Sequence, residues 1–158
     1  MSVRDIFQQM TYGTAPEASD VARAWLESHG SKFALFINNQ WEAPKDGVYL
    51  TTHAPATGEK LADVADAKAA DVNAAYDAAR AAFPKWSALP GHVRARYLYA
   101  IARNIQKHAR LLSVLESLDN GKSIRETRDL DVPLTARHFY HHAGWAQLME
   151  RELAEYAP

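Results

Sequence analysis

Three histidines on one predicted helix have the spacing of possible metal ligands. His138, His141 and His142 stand at positions i, i+3 and i+4, so two or three imidazoles share one helix face, and imidazole is a common zinc ligand. The segment contains no His-Glu-x-x-His pattern and no acidic residue in the adjoining Ala-Gly-Trp-Ala turn. We therefore favour a packed, partly exposed aromatic face, and we keep a histidine-based metal-binding protein as an alternative.

Carboxylates near predicted helix ends form a second group of candidates: Glu116, Asp119, Asp129 and Asp131. Paired carboxylates can act as general acid and base. Carboxylates also cap the free N–H groups at the start of a helix, and Asp129 and Asp131 precede a predicted helix. Asp119 belongs to a helix-ending Asp-Asn-Gly turn. We favour the structural interpretation for all four.

The groups that thiol or phosphate chemistry requires are missing from the sequence. The chain contains no cysteine, which excludes disulfides, thiolate metal ligands and a cysteine nucleophile. Its seven glycines are widely spaced, with no two inside six residues of each other. Neither a G-x-G-x-x-G dinucleotide fingerprint nor a P-loop can therefore be drawn. We expect no catalytic and no cofactor-binding residue in this chain.

Composition limits the classes of partner. The chain has 158 residues, 47% of them hydrophobic and 23% charged, with a net charge of -1. Mixed charges of this kind give no electrostatic reason for a nucleic-acid or membrane partner. No apolar run approaches the ~20 residues of a spanning helix, and the first ten residues lack the apolar core of a signal peptide. A cytoplasmic protein is expected.

The elements that would position these residues fall into three regions. We interpret residues 1–32 as an N-terminal helical extension, containing a helix over 17–29 that Gly30 ends. Residues 33–65 are rich in β-branched and aromatic residues separated by turn signals, and they predict a small antiparallel sheet. The spacing of apolar residues predicts helices over residues 69–155. The segment is therefore expected to be mostly α-helical with a small N-terminal sheet.

Several boundaries and faces follow from the same patterns. Asn38-Asn39 is predicted to form a tight turn, and Pro84 to end the first long helix. The following helices are predicted to start at Pro90-Gly91, to stop at Asn120-Gly121 and to start again near Asp131. Val21, Ala24, Trp25 and His29 are predicted to share one side of the 17–29 helix. Core anchors are predicted at Trp41, Trp86 and Trp145.

Five segments in order resemble the beginning of the aldehyde dehydrogenase superfamily. Each match is short, but the order and spacing are those of the family, and together the segments cover about residues 33–150. They are FINNQW (36–41), APATGEKLADVADAKAADVNAAYDAARAAFPKW (54–86), LPGHVRARYLYAIARNIQKH (89–108), ESLDNGKSIRET (116–127) and FYHHAGWA (139–146). Ala54 stands where the family's turn has asparagine. Residues 1–32 look like the leader of the double-module branch, often called family 16.

The resemblance implies an α/β parent fold with a Rossmann-type cofactor domain, of which residues 33–158 would be the N-terminal portion. In this family a cysteine thiolate attacks the aldehyde, the thiohemiacetal passes hydride to NAD or NADP, and a glutamate-activated water releases the acid. The parts that perform these steps would lie beyond Pro158. The implied partners are the rest of the polypeptide and further copies in a homo-oligomer, such as a dimer. A non-enzymatic helical interaction module remains an alternative.

Four positions acquire possible roles through the resemblance alone. Leu130 and Leu134 match the wall of the family's aldehyde tunnel, although ordinary core leucines would look the same. Thr52 and Asp119 match positions that surround a structural monovalent cation in some members, and oxygen ligands suit a hard cation. If the parent sheet is encoded elsewhere, the apolar stripes on 69–83, 92–107 and 109–118 would lack part of their burial surface.

Overall fold

A computed structural model describes residues 2–5, 15 and 17–153 of the chain, excluding the side chain of residue 150. The first element with defined bounds is helix α1, Asp20–Ser28. It ends before Gly30, whose φ of 66° is the left-handed conformation that favours glycine. The predicted end of this helix is therefore confirmed.

Of the four residues predicted to share one side of α1, only Trp25 packs against the core. Ala22 and Leu26 are buried, whereas Val21, Ala24 and His29 are exposed. Contacts with the sheet and with a later helix determine which residues of α1 are buried. The periodicity of the helix alone does not predict these contacts.

Five short strands follow α1: β1 Lys32–Phe33, β2 Leu35–Ile37, β3 Gln40–Glu42, β4 Tyr49–His53 and β5 Lys60–Ala65. A three-stranded sheet has the order β1-β5-β4, and β2 and β3 form a separate antiparallel hairpin. The small N-terminal sheet is thus confirmed. One pairing differs from an all-antiparallel arrangement, because β1 runs parallel to β5 while β4 runs antiparallel to it.

Local turn chemistry explains how these strands connect. Asn38 and Asn39 have φ angles of 50° and 64°, which confirms the tight turn and suits asparagine, a residue that tolerates the left-handed region. The turn that begins at Ala54 is closed by backbone bonds, and the Thr57 hydroxyl also accepts from the Glu59 amide at 3.3 Å. The Ala54 amide donates to the Glu59 carbonyl at 2.8 Å, and the Gly58 amide donates to the Ala54 carbonyl at 2.8 Å.

The remainder of the described chain is helical. Pro84 lies inside the first of these helices rather than at its end. A proline lacks only its own N–H and removes one bond, and here the helix ends within the next turn, so the loss is tolerated. The elements are α2 Ala69–Ser87, α3 Gly91–Lys107, α4 Ala109–Asn120, α5 Ile124–Glu126, a π-turn Thr127–Asp131 and α6 Val132–Glu152.

The boundaries predicted at Pro90-Gly91, at Asn120-Gly121 and near Asp131 are confirmed. Helix α3 begins at Gly91, directly after Pro90. Helix α4 ends at Asn120 and Gly121 follows with a φ of 79°. Helix α6 begins at Val132, directly after Asp131, and carries Pro133 in its first turn.

Helices α3 and α6 pack against each other through small residues. Their buried positions include four alanines, and a Cβ added to Gly91 would stand 2.0 Å from the carbonyl oxygen of Ala146. Small side chains allow two helix backbones to approach closely. The buried alanines are Ala95, Ala102, Ala136 and Ala143.

The hydrophobic core is small and lies under α1. Leu26, Ala54 and Leu61 form its buried centre, and four partly buried side chains pack against it: Trp25, Phe33, Leu115 and Leu118. Helix α1 is thus packed on the sheet and on α4. The division of the chain at residue 32 stays a prediction.

Much apolar surface remains open in the described part of the chain. The prediction of tryptophan core anchors is wrong, because Trp41, Trp86 and Trp145 are exposed to 70%, 40% and 43%. The stripes on the long helices are also open, with Phe83 exposed to 64% and Tyr97 to 55%. No described element covers these side chains. None of the described helices is long and apolar enough to cross a membrane.

Candidate functional site

An open cavity of about 420 Å³ lies between α1, the three-stranded sheet and α4. Most of its wall is apolar, contributed by Trp25, Leu26, Phe33, Leu61, Ala62, Val64, Leu112, Leu115 and Leu118. The oxygen-bearing side chains in the wall are those of Thr52, Glu116 and Asp119. The cavity borders the hydrophobic core, so the rigid elements of the domain hold its walls.

The fold brings the two predicted cation residues to this one cavity, although 67 positions of sequence separate them. Thr52 lies on β4 opposite Ala62 of β5, beside an irregularity of the ladder between Thr52 and His53. Asp119 stands in the last turn of α4. Glu116, one turn earlier, accepts a hydrogen bond from the side-chain amide of Asn120.

The donor set at the cavity fits a weakly held oxygen-liganded cation better than a transition metal. Its side-chain donors are one hydroxyl and two carboxylates, which suit hard cations. In the described ranges no three His, Cys, Asp or Glu side chains lie close enough together to hold a metal ion. The assignment of Thr52 and Asp119 to a monovalent cation therefore stays a prediction.

The two predicted tunnel residues lie together on the surface. Leu130 is in the π-turn and Leu134 in the first turn of α6. They are at positions i and i+4, about one helical turn apart, and their side chains are exposed to 50% and 40%. They are therefore not core leucines within the described chain. Their exposure leaves an apolar pair free to face another element or a ligand.

The three histidines do not converge. The ring centroids of His141 and His142 are 5.3 Å apart, and the two rings meet edge to face. The ring centroids of His141 and Trp145 are 6.4 Å apart. His138 takes no part in this ring cluster, and all three are exposed. The metal-binding alternative would need three ligands around one point, and the described residues contain no such group. The aromatic-face interpretation agrees with the observed contacts.

The prediction that Asp129 and Asp131 cap the last helix is wrong. Asp131 occupies the N-cap position of α6 without a side-chain cap bond. It instead accepts from the Lys122 ammonium at 2.8 Å, and Asp129 pairs with Arg128 at 2.7 Å. The hydrogen bond from Arg128 lowers the pKa of Asp129, and the bond to Asp131 raises the pKa of Lys122. The π-turn already leads into α6 without a break, so no free N–H groups await a cap.

A buried aspartate that sequence reasoning missed joins α2 to the loop before β4. Asp71 is 3% exposed, and its carboxylate accepts from the backbone amides of Lys68 and Lys45, both at 3.0 Å. The backbone hydrogen bond from Lys68, and then the one from Lys45, lower the pKa of Asp71. An acidic residue at the third position of a predicted helix is a known start signal, and it could have identified Asp71.

A second missed contact joins α4 to the π-turn. Thr127 is fully buried, and its hydroxyl donates to the backbone carbonyl of Ser113 at 3.0 Å. Ser113 is also buried, and its hydroxyl donates to the Ala109 carbonyl at 2.7 Å. No pattern in the sequence singles out these two residues, because their pairing spans 14 positions. They position the π-turn that carries Leu130.

The described glycines do not offer a dinucleotide cradle. Such a cradle needs glycines that expose backbone N–H groups at the start of a helix. Gly30, Gly47, Gly58 and Gly121 lie at helix ends and in turns between strands. Gly91 does start a helix, but the backbone of α6 at Ala146 covers it. The described glycines therefore do not form such a cradle, and the expectation that this chain alone holds no cofactor stays a prediction.

Comparison with known proteins gives a consistent result. A family model described as "Aldehyde dehydrogenase family" matches residues 41–157. The EPTC-inducible aldehyde dehydrogenase of Rhodococcus erythropolis is 37% identical over 146 residues, which is 92% of this chain and 28% of that relative. Aldehyde dehydrogenase B of Escherichia coli is 37% identical over 125 residues, 79% of this chain and 24% of that relative.

A solved structure agrees with the sequence matches. The NAD+ complex of an aldehyde dehydrogenase from Bacillus cereus superposes with a TM-score of 0.74 at 33% identity, covering 81% of this chain and 26% of that one. The chain thus spans about a quarter of the length of the relatives it matches. Since the family model covers most of the sequence and these likenesses agree, the chain belongs to the aldehyde dehydrogenase family.

Proposed function

We propose that this chain is the N-terminal portion of an NAD(P)-dependent aldehyde dehydrogenase, an oxidoreductase that converts aldehydes to carboxylic acids. Family membership and the quarter-length coverage of its relatives support the proposal. The solved relative from Bacillus cereus holds NAD+. The nucleophilic thiolate, the glutamate base and the cofactor turn would come from the rest of the polypeptide, since this chain has no cysteine.

The observation that carries the proposal is the open apolar surface on the helices. Tyr76 and Phe83 lie seven positions apart on α2, and they are exposed to 59% and 64%. On α3, Ile101 is exposed to 42%. Large exposed apolar patches are typical of surfaces that another element covers. We infer that these helices dock on the cofactor-binding sheet of the complete enzyme.

The first experiment reads the coding sequence past the codon for Pro158. An in-frame continuation that encodes a Pro-Trp-Asn segment and a later cysteine is expected. The complete product should then reduce NAD or NADP in the presence of an aldehyde, followed at 340 nm, and replacement of that cysteine by serine should abolish turnover. Residues 1–158 alone should show none. A stop codon at this point would contradict the proposal and favour the helical interaction module.

We also propose that Leu130 and Leu134 face the aldehyde in the complete enzyme. Their exposure and their position one helical turn apart support this role. Leu134→Ala in the complete enzyme should change kcat/KM for long-chain aldehydes more than for acetaldehyde, by roughly tenfold, because one lost apolar contact is worth about 1–3 kcal/mol. Leu148→Ala, at an equally exposed leucine further along α6, is the control. Equal effects on all aldehydes would contradict the assignment.

A structural monovalent cation near Thr52 and Asp119 is proposed on their shared cavity. In the complete enzyme, potassium should raise the unfolding midpoint above that in a tetramethylammonium buffer. Asp119→Asn should remove most of this difference, because it removes the anionic ligand. Asp129→Asn makes the same charge change outside the cavity and should preserve the difference between the two buffers.

The complete enzyme is also proposed to form a homo-oligomer such as a dimer, which light scattering on the purified product would test.

A further inference from the structure

The charge of this chain is unevenly distributed. Residues 78–115 contain no Asp or Glu but seven Lys and Arg, in a chain whose net charge is -1. Helix α3 lies at the centre of this stretch, and residues 132–149 of its partner α6 also contain no Asp or Glu. The pair of helices therefore presents a positive surface on an otherwise slightly negative molecule. A field of this kind attracts anions.

An open groove of about 560 Å³ runs along this pair of helices. We call it the tyrosine–arginine groove, and its wall consists of Val93, Arg96, Tyr97, Tyr99, Ala100, Arg103 and Tyr140. Volumes of this size are typical of small-molecule sites. The two arginines stand seven residues apart, which places them on one face of α3 and separates their backbones by roughly 10 Å.

The two guanidinium groups are unpaired within the part of the chain that the structure describes. Neither Arg96 nor Arg103 has an ion-pair or hydrogen-bond partner there. Other cations of the chain do have partners. Arg23 pairs with Glu59 at 2.7 Å, and Arg94, on the same helix, donates to two backbone carbonyls. Unpaired arginines beside a groove can bind a phosphate by two parallel hydrogen bonds each.

The tyrosines complete a wall of donors and rings. The side-chain amide of Gln147 donates to the Tyr99 hydroxyl at 3.2 Å, so the hydroxyl proton of Tyr99 is left to donate into the groove. The Tyr140 hydroxyl donates to Gln106 at 2.7 Å. The centroids of the Tyr99 and Tyr140 rings are 5.8 Å apart. Ring faces beside cationic donors suit a ligand with a planar apolar part and an anionic part.

We propose that the tyrosine–arginine groove binds a small phosphorylated organic anion of the nucleoside-phosphate class. Arg96 and Arg103 hold the phosphate oxygens, Tyr99 donates a further hydrogen bond, and the tyrosine rings contact the planar portion. This site is separate from any cofactor site that the rest of a longer polypeptide supplies, and the proposal does not depend on the proposed function.

The test measures ADP binding by calorimetry to the complete in-frame product, with and without saturating NAD. Arg96→Gln and Arg103→Gln should each weaken binding by about tenfold or more, since each removes charge-assisted hydrogen bonds to the phosphate. Lys107→Gln, which makes the same charge change on the same helix outside the groove, should have less than a threefold effect. Circular dichroism would verify that all three variants fold.

Three other results would overturn the proposal. Equal weakening by Arg96→Gln and Lys107→Gln would indicate general charge attraction rather than a site. Complete displacement of ADP by NAD, with no effect of the arginine variants, would place the binding at a cofactor site. Absence of ADP binding under both conditions, including when only a long polyanion such as heparin binds, would also refute it. Separate titrations with pyrophosphate and with adenosine should each give weaker binding than ADP.

Discussion

At the scale of single residues, the described chain is held together by a few buried polar contacts rather than by a large apolar core. The Asp71 carboxylate accepts from two backbone amides of separate segments, and the buried Thr127 hydroxyl donates to the Ser113 carbonyl. A buried polar group left without a partner costs about 1–3 kcal/mol. Substitutions at these two residues should therefore have effects out of proportion to their size.

Thr127→Val tests the contact between α4 and the π-turn. The change keeps the shape of the side chain but removes the hydroxyl that donates to the Ser113 carbonyl. We expect a loss of about 1–2 kcal/mol in the free energy of unfolding, measured by urea denaturation of the complete polypeptide. Thr135→Val removes an exposed hydroxyl that donates to the Asp131 carbonyl, and it should change stability by less than about 0.5 kcal/mol. Equal losses would refute the importance of burial.

Asp71 should make stability depend on pH in the acidic range. Its pKa in the folded chain lies below the ordinary value because Lys68 and Lys45 donate backbone hydrogen bonds to the charged form. The stabilisation is therefore complete above the ordinary pKa of aspartate and is lost as pH falls through the lowered one. Asp71→Asn should have a lower unfolding midpoint at pH 7 and a smaller further decrease towards pH 3 than the unmodified protein.

The matched control for this change is Asp77→Asn, an exposed carboxylate on the same helix. It should leave both the midpoint and its dependence on pH nearly unchanged. If Asp71→Asn kept the full acid-dependent decrease, another carboxylate would be responsible.

At the scale of secondary-structure elements, the close packing of α3 against α6 determines the shape of the tyrosine–arginine groove. The crossing brings Gly91 against the backbone of α6, and the alanines behind it keep the two axes near each other. The tyrosine–arginine groove exists because side chains from both helices meet along this contact. A larger side chain at the crossing should therefore disturb both stability and the groove.

Gly91→Ala should destabilise the protein by about 1–3 kcal/mol, the usual range for inserting atoms into a packed interface. The added Cβ would stand 2.0 Å from the Ala146 carbonyl oxygen, so the backbone has to move. Gly144→Ala on α6 is the control, because nothing lies within 4 Å of its Cβ position. It should be neutral or stabilising by about 0.5–1 kcal/mol, since alanine favours helix more than glycine does. Thermal unfolding of both variants would distinguish the two cases.

At the scale of the whole molecule, the described helices leave many large apolar side chains exposed, among them Tyr76, Phe83 and Ile101. Covering several hundred Å² at roughly 25 cal/mol per Å² is worth on the order of ten kcal/mol, which is comparable to the stability of a small domain. We therefore expect residues 1–158 alone to bind the dye ANS and to aggregate or remain partly molten. A monomeric product with a cooperative unfolding transition would contradict this expectation.

Phe83→Gln should have different effects in the two contexts. In residues 1–158 alone, where Phe83 is 64% exposed, it should reduce aggregation. In the complete polypeptide it should lower stability by about 1.5–3 kcal/mol, because burying a phenylalanine contributes about that amount. Asn73→Gln, an exposed polar change on the same helix, should have neither effect. A stability loss of the same size in both contexts would indicate that Phe83 contributes within the described chain.

Sequence alone determined the features that depend on near neighbours. The helix stops at Gly30 and Gly121, the Asn38-Asn39 turn and the start of α6 all follow from backbone preferences of a few consecutive residues. The order of short motifs indicated the family, because the same segments in the same order along the chain are typical of one fold. Glycine spacing and the lack of cysteine pointed away from cofactor and thiol chemistry without any coordinates.

Tertiary structure decided everything that required a distant partner. It selected the buried face of α1, paired Asp131 with Lys122 instead of a helix end, and set Thr52 and Asp119 on one cavity. It also left Trp41, Trp86 and Trp145 exposed, although their size favours burial. The physical reason is that burial and ion pairing depend on which surfaces meet, and those surfaces come from positions far apart in the chain.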